Sequence, residues 1–180
     1  MNEPDPALVW AARGGDVEAF GRLVRDYQSD VWRLCMHILQ NHSVADDATQ
    51  ECFFRAFRFM KTYKGRSKFS TWLLSIARNC AMDEMRRSGR KRRVEQELRA
   101  TRSPGTEELA TSLEIREALA ELPAELREPV VLIDILGLSY AETAAVLGLA
   151  SGTVKSRVHR ARMVLADRLS DKEEEAAGES

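Results

Sequence analysis

Apolar residues recur every three or four positions along almost the whole chain. That period marks helices with one buried face. The alternation at period two that a half-buried strand requires is weak throughout. Such a chain can bury its hydrophobic residues only by packing helix on helix, so the expected fold class is all-α. Its 180 residues suffice for one or two small domains with cores of their own.

Breaks in the pattern divide the chain. A loose start, residues 1–6, precedes a short helix at about Ala7–Arg13. Gly14-Gly15-Asp16 ends it, and Asp16 is a good cap for the next. Val17, Phe20, Val24, Tyr27, Val31, Leu34 and Ile38 then mark a long helix to about Gln40. Asn41-His42-Ser43 forms a turn, with Ser43 placed to cap a third helix whose stripe is Ala48, Cys52, Ala56 and Met60, joined by Phe53 and Phe57. A basic turn, Lys61–Lys68, leads to Ser70 and a fourth helix carrying Trp72, Leu73, Ile76, Ala77 and Cys80, which runs to about Arg87. These pieces describe one helical bundle. The dense basic run Arg86–Arg93 follows, and then a polar linker, Val94–Thr111, that contains Ser103-Pro104-Gly105. Leu113, Leu119 and Leu122 resume the helical period. Pro123 can start the next helix, over Leu126, Val130, Ile133 and Leu136, and Pro129 should kink or interrupt it. After Leu169 the acidic DKEEEAAGES has the composition of a disordered tail.

The stretch Leu138–Leu165 is the most informative. Ser139 with Glu142 makes a capping box; Ala144, Ala145 and Leu147 give the helix a small apolar face; Gly148 suits its left-handed end. Ser151-Gly152 opens a second helix. Val154, Val158, Ala161 and Leu165 would pack inward. Lys155, Ser156, His159 and Arg160 share the outward face, flanked by Arg157 and Arg162. The bland alternative is a solvated basic face. A short helix with an apolar back and a basic, hydrogen-bonding front also suits the DNA major groove, where cations donate to guanine edges and serine or further cations hold phosphates.

The net charge is only −1, unlike a non-specific DNA coater, so basic faces must sit beside acidic or neutral ones with other work. No apolar run is long enough to span a membrane and none follows a charged start, which points to a soluble, cytoplasmic protein. Cys35, Cys52 and Cys80 are odd in number, far apart and set in apolar-periodic segments, so they read as small buried hydrophobes. Cys35 and His37 are two apart, on nearly opposite sides of a helix, and His42 reads as a loop residue; no metal site is expected. There is no nucleophile–base pair and no phosphate-cradling glycine loop. No enzyme activity, cofactor or small-molecule substrate is therefore expected. Lys61, Tyr63, Lys64, Arg66, Lys68, Phe69 and Trp72 interleave cations with aromatics, the combination that binds unpaired bases, although Trp72 also fits the core stripe.

The run GTVKSRVHRAR resembles the promoter-binding signature of bacterial extracytoplasmic-function (ECF) RNA polymerase sigma factors, a group of the sigma-70 family. Response-regulator output domains carry a similar helix-turn-helix, so the N-terminal motifs matter. Asp47-Ala48-Thr49-Gln50-Glu51 with Phe54-Arg55-Ala56-Phe57 is similar to the family's polymerase-contacting signature, with Ala48 in place of a larger apolar residue. FSTWLLSIARNCAMDEMRR resembles its promoter-melting helix. The resemblance covers about residues 7–170.

The resemblance implies a division of labour. Residues 1–93 would form the domain that binds core polymerase and the −10 element, 94–111 a flexible linker, 112–170 the −35-binding domain, and 171–180 an acidic tail. Asp47, Gln50, Glu51 and Arg55 would meet the polymerase, through its beta-prime clamp helices; helix-dipole stabilisation alone could account for neighbouring Asp46. The beta flap would be a further polymerase contact. Lys61, Tyr63, Lys64, Arg66, Phe69, Trp72, Arg78 and Asn79 would hold the −10 strand, while helical spacing alone sets Asp83 and Arg86 to pair with each other. Lys155, Ser156, His159 and Arg160 would read the −35 element, with Arg157 on the backbone. Partners would be core RNA polymerase, promoter DNA and an anti-sigma factor, and the setting a stress or environmental response. Two other readings remain: a free-standing duplex-binding regulator, and a helical interaction protein whose N-terminal bundle only docks a partner.

Overall fold

A computed structural model describes the backbone of residues 2–95 and 113–178 and the side chains of residues 2–87 and 115–168. Within these residues there is helix and no strand, as the periodicity requires. The elements are α1 (Pro6–Gly14), α2 (Val17–Leu39), α3 (His42–Phe59), a 3-10 turn (Met60–Thr62), α4 (Phe69–Glu95), α5 (Leu113–Glu121), α6 (Ala124–Val130), a π-helical turn (Val131–Ile135), α7 (Tyr140–Leu147) and α8 (Ser151–Gly178). The chain divides into two compact units, residues 1–105 and 106–180. The side chains of Arg90, Lys91, Arg92 and Arg93 in the basic run lie outside the described ones, as do residues 96–112 altogether, which take in most of the linker at 94–111.

In the first unit, α2, α3 and α4 pack on one another and α1 packs on α2. The buried stripe of α3 is made of small residues, Ala45, Ala48, Cys52 and Ala56. Small side chains allow its backbone to approach the larger residues of its neighbours, including Val31 and Leu34 of α2 and Leu73 and Leu74 of α4. All three cysteines are free and buried. The Cys35 thiol faces the Ala77 carbonyl at 4.0 Å, and the Cys52 thiol faces that of Leu73 at 3.9 Å. Burial raises the pKa of Cys35 to about 12 and of Cys80 to about 11, so both behave as inert hydrophobes.

Local chemistry sets the helix ends. Asp16 caps α2 by accepting from the Ala19 N–H at 3.0 Å, as its composition suggests. The cap of α3 is Asn41 rather than Ser43: the Asn41 side chain accepts from the Val44 N–H at 3.1 Å, so the helix starts earlier. Val17, counted in the α2 stripe, is 68% exposed, whereas Ala19 and Phe20 of the same turn are buried. Leu23 carries the buried contact instead. Helix α4 continues past Arg87 to Glu95.

In the second unit, Leu119, Leu122, Leu126, Val130, Val131, Leu132 and Leu136 build the core with Val154, Val158 and Ala161 of α8. Arg127 is buried and its Nη1 donates to the carbonyls of Ala120 (2.7 Å) and Leu122 (3.3 Å), closing the carbonyl end of α5. Pro129 interrupts its helix, as expected: α6 ends one residue later, at Val130. The backbone widens immediately after it into the π turn, where the Leu136 N–H reaches the Val131 carbonyl at 3.0 Å. Proline removes one N–H and crowds the carbonyl four residues back, that of Glu125, and the regular α-helix runs only one residue beyond it. Ala145 is exposed, whereas Thr143, Ala144, Val146 and Leu147 are buried, so the inward face of α7 is rotated from the one expected. The acidic segment after Leu169 has a helical backbone as far as Gly178, where a disordered tail was expected.

Leu34 is fully buried where the first unit's helices meet. Leu34→Ala should destabilise that unit by about 2–5 kcal/mol, the cost of a cavity that neighbours fill only in part. A urea titration followed by circular dichroism should show a lower midpoint; an unchanged midpoint would place the core elsewhere.

Candidate nucleic-acid and polymerase interface

Three surfaces carry the residues singled out from the sequence. The first is α3. Asp47, Gln50, Glu51 and Phe54 fall at i, i+3, i+4 and i+7 and therefore share a face, and all four are exposed. Phe54 is 69% exposed. It is an apolar residue at the C-terminal end of this polar face, beyond which Phe57 and Phe59 are exposed as well, and that mismatch with the period marks it as a candidate contact. Asp46 does more than favour the helix dipole: its carboxylate accepts from Trp32 Nε1 at 2.7 Å and lies 3.1 Å from His42 Nδ1.

Arg55 was expected on the same working face. Instead its guanidinium is engaged within the chain, donating from Nε to Glu51 at 2.6 Å and from Nη1 to Asp83 at 2.8 Å. It thus ties α3 to α4 and holds Glu51 in place. Asp83 also meets Arg86 at 3.4 Å, as helical spacing predicts. The Arg55 hydrogen bond holds the Asp83 carboxyl below its ordinary value, and Asp83 and Glu51 push the Arg55 guanidinium up.

The second surface is the turn between α3 and α4. Lys61, Lys64, Arg66 and Lys68 are exposed on it. Gly65 there has φ +66°, and a Cβ on it would lie 3.8 Å from the Trp10 ring. The aromatics expected beside these cations are largely turned inward. Tyr63 is 8% and Phe69 2% exposed, and Trp72 is half-buried. Tyr63 packs on Phe69 and Trp72 with ring centroids 5.8 and 5.2 Å apart, and its hydroxyl donates to the Ser67 carbonyl at 2.7 Å. Tyr63 and Phe69 therefore form a floor that stiffens a basic turn, while Trp72 keeps an accessible edge. Burial and then the Glu3 carboxylate push the phenols of Tyr63 and Tyr27 up. On α4, Arg78 is half-buried and Asn79 is exposed, one position on from Arg78 and two turns from Trp72.

The third surface is α8. Val154, Val158 and Ala161 are fully buried, whereas Lys155, Ser156, His159, Arg160 and Arg162 are exposed and Arg157 is half-buried. Leu165 is half-buried. The preceding helix is closed at its start by a capping box, in which Ser139 and Glu142 each accept from the other's N–H, and at its end by the left-handed Gly148 at φ 66°. Arg162 makes a bidentate pair with Asp134 of the π turn at 2.6 and 3.0 Å, which fixes the rotation of α8. The Lys155 ammonium lies 6.0 Å from the Tyr140 ring centroid. The outcome is a rigid helix with a basic face, the form that enters a major groove.

Comparison with known proteins identifies this arrangement. Residues 23–91 match the family model for sigma-70 region 2, and residues 112–165 that for sigma-70 region 4. The chain belongs to the ECF RNA polymerase sigma factors. It is 36% identical to the ECF RNA polymerase sigma factor SigE of Mycolicibacterium smegmatis, over 98% of this chain and 72% of the relative. It is 38% identical to the ECF RNA polymerase sigma factor SigC of Mycobacterium tuberculosis, over 92% of each. Its fold resembles that of the sigma factor RpoE from Bartonella quintana, solved in complex with the anti-sigma factor NepR, at TM-score 0.76 and 29% identity over 86% of this chain and 98% of that one. As a sigma factor it directs core RNA polymerase to promoters when transcription begins. Among the described residues no group of three or more His, Cys, Asp or Glu side chains is placed to hold a metal ion, and no helix is long and apolar enough to cross a membrane.

The Arg55–Asp83 tie gives this sigma factor a pH signature. An aspartate in the unfolded chain titrates near about 3.9. Because the folded carboxyl titrates lower, the pair's contribution is complete above that value and is lost as the pH falls through the folded one. Both side chains are partly exposed, 27% and 38%, so screening keeps the contribution below about 1 kcal/mol. Asp83→Asn should lower the urea midpoint at pH 7, and the gap to wild type should close towards pH 3. A constant gap would mean that the two carry no ionic coupling.

Proposed function

We propose that the three surfaces divide promoter recognition among themselves. The observation that carries this reading is that each working face stands on a buried, rigid back. The Asp47, Gln50, Glu51 and Phe54 face of α3 docks on the beta-prime clamp helices of core polymerase, with Arg55 shaping the face from below. Lys61, Lys64, Arg66 and Lys68 follow the backbone of the melted −10 strand. Trp72 offers a stacking edge, Arg78 and Asn79 complete the track along α4, and Tyr63 and Phe69 hold the turn in shape. Residues 1–93 are thus the −10 and polymerase domain. Residues 112–170 form the −35 domain, which also meets the beta flap.

In that second domain Lys155, Ser156, His159 and Arg160 face the −35 bases, with Arg157 on the phosphates. The chain works in the cytoplasm and contributes recognition, and the polymerase contributes the chemistry. The solved relative bound to NepR supports an anti-sigma factor as the partner that holds this chain inactive until a stress signal arrives.

Co-elution with bacterial core polymerase on gel filtration, without DNA, tests the α3 face. The wild-type chain should elute in a stoichiometric complex. Gln50→Ala with Phe54→Ala should weaken that complex by about 1–3 kcal/mol, as truncation of an interface anchor does. Undiminished co-elution would reject the face. For −35 reading, Arg160→Ala should weaken use of the cognate promoter by about 1–3 kcal/mol in run-off transcription, the value of one bidentate base contact. Wild-type transcription by that variant would mean that another face of α8 meets the bases.

A further inference from the structure

The start of α4 lacks a local cap. Lys68 holds the cap position, since its carbonyl accepts from the Trp72 N–H at 3.1 Å, but a lysine side chain has no acceptor to offer the first N–H groups of the helix. The acceptor comes from the far end of the domain. Glu3 Oε2 accepts from the Phe69 N–H at 3.1 Å, and Glu3 Oε1 accepts from the Ser70 hydroxyl, across 66 and 67 positions of sequence. The arm that carries Glu3 is itself fixed, because the Tyr27 hydroxyl donates to the Asn2 carbonyl at 2.6 Å. Tyr27 in turn packs on Phe69 with ring centroids 5.5 Å apart.

We propose that Glu3 is a positioning residue for capture of the −10 strand: it caps the promoter-melting helix α4 from outside the helix and holds the basic turn Lys61–Lys68 in its binding shape. Phe69, whose N–H it accepts, is also the ring against which Tyr63 packs, and Tyr63 closes the turn through Ser67. Glu3 therefore acts on the turn through Phe69 and has no contact with DNA of its own. The cleft beside the arm is lined by Glu3, Asp26 and Asp30, which repel a phosphate and leave the strand to the basic turn. A carboxylate at this helix end also complements its dipole.

The proposal rests on the division of labour given above, and its test separates the two. Holoenzyme is assembled from core polymerase and the full chain, either wild type, Glu3→Ala or Glu3→Gln. Three affinities are measured: for core polymerase, for duplex −35 DNA, and for a single-stranded non-template oligonucleotide carrying the −10 element of a promoter that the holoenzyme transcribes. Glu3→Ala should lower strand affinity about three- to tenfold, the range that loss of a helix cap implies. Affinity for core and for the −35 duplex should stay within about twofold of wild type, as for a change confined to one helix end. Glu3→Gln keeps an acceptor for the Phe69 N–H and should recover most of the loss. If wild type prefers the −10 strand to a scrambled one and Glu3→Ala prefers it equally, or binds it more tightly, Glu3 positions nothing and the proposal alone falls. If both variants lose strand affinity equally, the capping geometry is not the cause. A wild-type holoenzyme with no strand preference overturns the division of labour and this proposal with it.

Discussion

Close packing of the small α3 stripe against α2 and α4 is the constraint on which the first unit depends. Ala45, Cys52 and Ala56 are fully buried, so the α3 backbone lies near both neighbours. A helix held so tightly on one side has little freedom to rotate, and the residues on its other side keep fixed positions. Asp47, Gln50, Glu51 and Phe54 acquire their common direction in this way. The second unit repeats the device with Val154, Val158 and Ala161 of α8, and the basic residues between them are aimed by the burial of their neighbours. Both working faces are consequences of cores, which is why neither needs a large domain to carry it.

The α8 face was legible in the sequence because it follows from period alone, whereas the α3 face came from the resemblance to sigma factors, which took in Arg55 and left out Phe54. Once Val154, Val158 and Ala161 are inward, Lys155, Ser156, His159 and Arg160 have only the outside left. Features that depend on residues distant in sequence were not legible. The composition of the turn at Lys61–Lys68 suggests an exposed Tyr63, and nothing local reveals that Phe69 and Trp72 fold over it. Spacing finds the Asp83–Arg86 pair on one helix but cannot find Arg55 on another, although that contact is shorter. Glu3 is the extreme case: in a segment that reads as a loose end it supplies the first turn of α4 with an acceptor. The π turn after Pro129 was half legible, since proline announces a disturbance but the packing around it decides the form.

The near-zero net charge takes on meaning once the charges are placed. Acidic side chains occupy the outward face of α3, and lysines and arginines occupy the turn before α4 and the front of α8. Ion pairs consume part of the cationic total. Arg55 and Arg162 are held by Asp83 and Asp134, and they orient helices rather than face outward for a ligand. Counting arginines therefore overstates the charge available to DNA, and a sequence-wide balance of −1 is compatible with two basic surfaces.

That economy of charge has a consequence for affinity. Under the proposed division, the turn before α4 and the front of α8 each offer DNA a few described cations, and a few phosphate contacts give weak, salt-sensitive binding by themselves. The two units sit on one chain, so a polymerase that holds both converts the second contact into an intramolecular one, and the affinities multiply. Weak separate surfaces then become an advantage. On the proposed division, neither unit alone should stay on DNA without polymerase, and the holoenzyme would discriminate by requiring both elements together. A more basic chain would bind DNA more tightly and would lose that dependence on its partner.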